Sequence, residues 1–387
     1  MANTKFFDTA GDFQLFDLSI ISHTGKILKV EDESIGLNIY ESVYSNAISG
    51  TLTMQDNQSL IEILPLIGEE KLQLSFSTNK SLGYKTFSRV FDIYKISDVT
   101  MQRKTQTYTI YFTTQIVQQN LQSRISTCYK GKGHDIVKNV FDNFLSHDKT
   151  PLLLEETKYD MNFVSPMWRG MELITYISDM AIRSVSDDDL STSFVFFENS
   201  GGYNFVSLEG LYALDPKHTL YQRSEQIKQK MGMVTVKYIP NLFKQVENMN
   251  AGVYGSTVTT HDIINKQLNT YTHNYSGSLN ATTDYTNMNK YTFTSSNYNQ
   301  SESKHWSLMN TSQRQQFNNL SVVVETPGNS DISAGDTCLF VQPTLAFADR
   351  ETKHETLPTK YLVASVKHSI HEGKYNMTLD LRSNIWK

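Results

Sequence analysis

Several groups of residues in this chain have types and spacings that could do chemistry. His368 and His371 carry the H-x-x-H spacing that lets two imidazoles share a metal on a helix. Here the pair straddles a strand end and the turn Glu372-Gly373, where that spacing does not bring the rings together reliably, so a metal is not expected there. Gly131-Lys132-Gly133-His134-Asp135 precedes a helix as a phosphate cradle does, but lacks the glycine spacing and the Lys-Ser/Thr ending of a P-loop. A turn with Asp135 as the helix cap is expected instead. Cys128 and His134 could act as nucleophile and base, yet nothing marks an oxyanion hole or an orienting third group. Glu155-Glu156 and Asp187-Asp188-Asp189 could supply the acid and base of a wall-degrading hydrolase, but both lie in polar stretches beside turns and read as solvated loop charges. No residue is assigned to catalysis, to a metal or to a cofactor.

The elements around these residues are mainly β. From Phe13 to Thr114 the period is two: Ile48, Gly50, Leu52 and Met54 alternate with Ser49, Thr51 and Thr53, and Leu72, Leu74 and Phe76 alternate with Gln73, Ser75 and Ser77. A short helical turn is read over 59–64. After Gln115 the period changes, and Ile136, Val137, Val140, Phe141 and Phe144 fall on one helical face. A second helix is marked by Leu173, Ile174, Ile177, Met180 and Ala181, with Ser165-Pro166 as its upstream turn. Strands resume at 193–197, 203–208 and 233–239. The chain therefore divides into a β region at 1–114, an α+β insert at 115–230 and a second β region at 231–387.

Within the last region, residues 249–304 are dominated by Asn, Thr, Ser and Tyr and cannot make a core alone. This excursion, extended to about 312, is expected to pack on a neighbour, with disorder as the alternative; 306–317 reads as a weak helix. Beyond it, Val322 and Val324 precede Pro327-Gly328, a second turn stands at Gly335-Asp336, and Met377, Leu379 and Leu381 alternate in a closing strand.

Composition narrows the function classes. A chain of 387 residues implies two or three domains. Charged residues are only 19% and the net charge is −5 without a Lys/Arg cluster, which argues against a nucleic-acid grip. Cys128 and Cys338 have no partner spacing, so neither a disulfide framework nor a zinc site is expected. The N-terminus lacks an apolar signal region, and no run is long enough to span a bilayer.

Two stretches resemble a known family. LNIYESVYSNAISGTLTMQDNQSLIEILPLIGEEKL, from Leu37, and NNLSVVVETPGNSDISAGDTCLFVQP followed by KYLVASVKHSIHEGKYNMTLDLRSN, from Asn318, look like the opening and closing barrels of the baseplate hub protein of contractile-tailed bacteriophages. That hub is similar to the spike-hub proteins of type VI secretion systems and tailocins. The positions carrying the resemblance are Tyr40, Glu41, Gly50, Gly68, Glu69, Glu70, Gly328, Gly335, Asp336 and His368. The glycines are read as backbone requirements at bends. Glu69-Glu70 are read equally as binders of loop backbone or of a neighbour's basic group, and as a solvated turn.

The resemblance implies two tail-tube-like antiparallel β-barrels flanking the small α+β domain. It further implies a homotrimeric ring that adapts a threefold central spike to a sixfold tail tube and surrounds the DNA passage without binding DNA specifically. The implied partners are other copies of the chain, the spike protein, the tube or tube-initiator protein, and the tape measure protein and baseplate wedge. Its place would be the tail baseplate of a virion, assembled in the host cytoplasm, with no membrane insertion and no enzymatic activity. Rival readings are the hub of a tailocin, type VI or extracellular contractile injection system, a tail-associated peptidoglycan hydrolase, and a host-surface binding module. The ending at Lys387 without a spike-like segment favours a separate hub of phage type.

Overall fold

A computed structural model describes residues 11–58, 60, 67–78, 83–102, 105–145, 150–164, 170–188, 190–222, 233–241, 244–262, 266–274, 290–296, 303–342 and 359–383. The first β region supplies β1 (Gln14–Ile21), β2 (Ile27–Lys29), β3 (Ser34–Ser42), β4 (Ser49–Asp56), β5 (Lys71–Ser77), β6 (Thr86–Gln102) and β7 (Thr105–Thr113). They run β2-β1-β5-β6-β7-β4-β3 with every neighbouring pair antiparallel. The period of two is realised directly. Gly50, Leu52 and Met54 on β4, and Leu72, Leu74 and Phe76 on β5, are buried, while the residues between them are half-buried. Of the short helical turn expected at 59–64, only Leu60 lies within the described residues.

The insert contains α1 (Ile116–Gln122), β8 (Arg124–Ile125), β9 (Cys128–Lys132), α2 (Gly133–Phe144), β10 (Leu152–Leu154), β11 (Asp160–Val164), β12 (Met171–Glu172), α3 (Leu173–Arg183), β13 (Phe194–Asn199), β14 (Gly202–Ser207) and α4 (Leu208–Ala213). Helices α2 and α3 pack together and bury Ile136, Val140, Phe141, Tyr176, Ile177 and Met180 against Phe194, Phe196 and Phe205. Phe144, expected on the buried face, is 38% exposed at the last position of α2. The turn expected at Ser165-Pro166 lies outside the described residues. Asp135 does not cap α2; the N-cap position is Lys132, and Asp135 stands in the first turn, where its charge still suits the helix dipole.

The remaining strands are β15 (His218–Gln222), β16 (Met233–Asn241), β17 (Gly255–Asp262), β18 (Gln267–Asn274), β19 (Lys290–Ser296), β20 (Leu320–Pro327), β21 (Thr337–Val341), β22 (Lys360–His371) and β23 (Lys374–Ser383); α5 (Gln245–Ala251) precedes β17 and α6 (Ser303–Gln316) follows β19. The order β22-β21-β15-β16-β20-β23 closes through a β22–β23 ladder into a six-strand barrel. Among the described strands of this barrel, β15 departs from antiparallel pairing: it lies parallel to both β16 and β21. Strands β18-β17-β19 form a separate sheet within the polar excursion.

The excursion is tied to the insert by polar groups, which is why its hydrophobic pattern was weak. Helix α6 packs against α3, β17 and β18. Gln313 Oε1 accepts from Thr192 N at 2.6 Å and from Thr192 Oγ1 at 2.7 Å, and Arg314 Nη2 donates to Phe194 O at 2.6 Å. Among the described residues no helix is long and apolar enough to cross a membrane.

Candidate functional site

Strand β22 changes partner along one edge, and most of the resemblance residues gather where it does. On that edge Lys360–Leu362 pair with β21, while Ser365–His371 pair with β3; β23 occupies the other edge from Leu362 to His371. The fork fuses the two β regions into a single 13-stranded sheet, and one hydrophobic core runs through both.

Glu41 plugs the fork. Its side chain is 1% exposed; Oε2 accepts from Ala334 N at 3.3 Å, and Oε1 lies 3.6 Å from His368 Nε2. The 3.6 Å spacing is an electrostatic contact and too long for a hydrogen bond. His368, 2% exposed, meets the Tyr375 hydroxyl at 2.7 Å through Nδ1 and stacks beside that ring. Burial holds the Tyr375 phenol protonated, with its pKa pushed well above the usual value, so it can donate to Nδ1 and leave the Nε2 proton facing Glu41.

The turn before β21 completes the joint. Gly335 adopts φ +91°, and its amide donates to Val363 O at 2.9 Å. Asp336 accepts from Ser333 N at 3.0 Å and from Lys217 Nζ at 2.5 Å. Gly328 lies against the Tyr375 ring, and its amide donates to Tyr375 O at 2.8 Å. Tyr40 is exposed on the outer face, with Lys367 Nζ 5.8 Å from its ring centroid.

The other resemblance positions lie elsewhere. Gly50 on β4 is pressed between Phe112 and Asn38 O, leaving no space for a Cβ. Glu70 is buried and accepts from Ile67 N at 3.0 Å and Gly68 N at 2.9 Å, so it binds loop backbone; Glu69 is exposed.

A further buried carboxylate, which the sequence reading missed, joins the insert to the first β region. Glu198 on β13 accepts from Thr114 Oγ1 at 2.6 Å and Ile48 N at 3.2 Å. Burial raises its pKa to about 7, Glu41 adds to the rise, and those hydrogen bonds and Arg89 oppose it. The apolar run Phe194-Val195-Phe196-Phe197 leading into Glu198 was the available signal, since a Glu inside a strand buried on both faces needs a partner.

The groups that could do chemistry are not assembled. His368 is buried and His371 exposed, as their odd spacing on β22 requires, and no metal-holding cluster occurs among the described residues. His134 Nδ1 accepts from Thr157 N at 2.9 Å. Glu155 is no solvated loop charge: it accepts from Ser207 N at 2.6 Å and Ser207 Oγ at 3.0 Å, securing the entry to α4. Asp187 and Asp188 are exposed, and Asp189 lies outside the described residues.

No protein-family model matches the chain, and no curated protein matches it in sequence. Solved structures match its fold. A tail protein from Neisseria meningitidis aligns over 96% of this chain and 97% of its own, at 9% identity and TM-score 0.59. The 43 kDa tail protein of a Shewanella oneidensis prophage aligns over 94% and 97%, at 9% identity and TM-score 0.60. The Francisella PdpA-VgrG complex in its lidded form matches 98% of this chain and 55% of the matched chain, at 10% identity and TM-score 0.50. The β3–β22 fork thus belongs to a chain with the fold of phage tail proteins, the fold that the hub resemblance implied.

Proposed function

We propose that this chain is the structural baseplate hub of a contractile phage tail. The observation that carries the reading is the fork at β22, which fuses two β regions edge to edge so that each copy offers two tube-forming units in fixed relation. Three such copies in a closed ring would present six units to a sixfold tube and three equivalent faces to a threefold spike. On this reading the tube-forming units are 1–114 and 231–387, flanking the insert 115–230, with β15 reaching from the insert into the second barrel. The resemblance positions, Tyr40, Glu41, Gly50, Gly68, Glu69, Glu70, Gly328, Gly335, Asp336 and His368, are structural and none is catalytic.

The partners would be other copies, the central spike, the tube or its initiator, the tape measure protein and the baseplate wedge, in a virion tail assembled in the host cytoplasm. DNA would pass through the lumen unread, which suits a net charge of −5. The fold match to a VgrG-containing complex supports a spike-type partner and keeps the hub of a contractile injection system as the second reading. Native mass spectrometry with negative-stain imaging, on the chain alone and with the candidate spike, tests the proposal. Rings of three copies that capture the spike are expected; a strict monomer indifferent to the spike would sink it.

A further inference from the structure

Two open sheet edges in this chain are complementary to one another. The first is β2, the outermost strand of the 13-stranded sheet. Val30 N donates to Leu18 O and Ser22 N to Lys26 O, both at 2.9 Å, so Lys26, Leu28 and Val30 face β1, and the amides and carbonyls of Ile27 and Lys29 face the open edge. Ile27 is 63% exposed, and Lys26 and Lys29 beside it are exposed and form no ion pair among the described residues. Of the acidic run that follows, Glu31 lines a separate cavity beside Ser34 and Gly373, and Glu33 accepts from Gln58 Nε2 at 2.8 Å.

The second edge is β10 of the insert, which among the described strands pairs with β14 alone. Tyr203 N donates to Pro151 O at 2.9 Å and Glu155 N to Phe205 O at 3.0 Å, so Leu152 and Leu154 turn their amides and carbonyls the other way. Beside this edge a hollow of about 430 Å³ is lined by Leu153 and Leu154, by Val206 of β14, and by Leu211 and Leu214 at the end of α4. Leu153 is 59% exposed. Asp188 lines the hollow and Asp215 follows Leu214; both are exposed and form no ion pair among the described residues, while the nearby Lys217 is held by Asp336. Glu155, the other carboxylate at the hollow, is occupied by Ser207.

Each edge carries what the other lacks: β2 an aliphatic side chain beside two lysines, β10 an apolar hollow beside two aspartates. A contact between them joins unlike patches of the same chain, and such contacts close into rings instead of two-fold pairs. We propose that β2 of one copy docks along β10 of the next, with Ile27 in the hollow and Lys26 and Lys29 facing Asp188 and Asp215. This rests on the hub reading and assigns the surfaces by which its copies would meet.

Native mass spectrometry of the full chain across a concentration series tests this. Ile27→Asp should raise the concentration at which rings form by about tenfold or more, the scale of burying one aliphatic side chain, and leave the melting temperature of the free protein unchanged. Lys26→Glu with Lys29→Glu should weaken the rings several-fold, and adding Asp188→Lys with Asp215→Lys should restore them, because the swap rebuilds both pairs. With the exposed Cys128 replaced by serine, a short bismaleimide should link copies that carry both Ile27→Cys and Leu153→Cys, and should link neither single variant. Rings that form equally well with Ile27→Asp and give no double-cysteine link would overturn this contact and leave the hub reading standing; a parent chain that stays monomeric, alone and with the candidate spike, would overturn both. Linking within a single variant, or a Leu153→Cys link to the candidate spike, would also overturn the contact.

Discussion

Glu41 and His368, on strands that no local turn connects, approach to 3.6 Å inside the protein, where β22 leaves β21 and takes up β3. A buried carboxylate facing an imidazole, with its other oxygen on Ala334 N, is expensive to break from one side. Glu41→Ala is expected to lower stability by about 3 kcal/mol, whereas Glu41→Gln, which keeps an acceptor for Ala334, should cost about half as much. A double-mutant cycle with His368→Gln in urea melts should return a coupling of about 1 kcal/mol; zero coupling would mean that the two groups do not interact.

Gly328 and Gly68 both belong to the resemblance, but for different physical reasons. A Cβ on Gly328 would fall inside the Tyr375 ring, while Gly68, at φ +100°, faces open space. Gly328→Ala should therefore cost about 3 kcal/mol through overpacking, and Gly68→Ala about 1 kcal/mol through backbone strain alone. Equal losses in parallel denaturation curves would contradict this division.

Helix α6 supplies a third expectation. Its docking relies on Gln313, whose Oε1 takes both the amide and the hydroxyl of Thr192. Gln313→Ala leaves these buried donors unsatisfied and should cost about 2 kcal/mol, with hydrogen exchange accelerating in α6 before the barrel strands. Uniform acceleration across the chain would instead show that α6 opens only with global unfolding.

What could be read in advance follows from how each element is stabilised. The alternation along β4, β5 and β23 was legible because one face of each strand meets the core. Glu41, Gly335 and His368 were legible as positions but not as one site, since sequence does not reveal that β22 exchanges β21 for β3 on one edge. The parallel pairing of β15 was hidden for the same reason: strand direction is decided by crossovers, not by period. Helix α6 read as weak because its anchors are Asn310, Gln313 and Arg314, and an apolar count passes over them.

Glu198 makes the stability of the assembled chain depend on pH in a defined direction. Its carboxyl pKa is about 7 in the folded protein against an ordinary 4.5, so between these values the folded state holds a proton that the unfolded state has released. Stability is therefore highest below pH 4.5 as far as this group is concerned, falls as pH rises through the interval, and levels off above about 7. The gap corresponds to about 3 kcal/mol at most. Glu198→Gln keeps an acceptor for Thr114 and Ile48 but cannot ionise, so it should flatten this decline and be more stable than the parent at pH 8. Urea melts of both proteins at pH 5.5, 6.5 and 8 give the comparison, and a difference that does not grow with pH would show that Glu198 is already ionised in the folded chain.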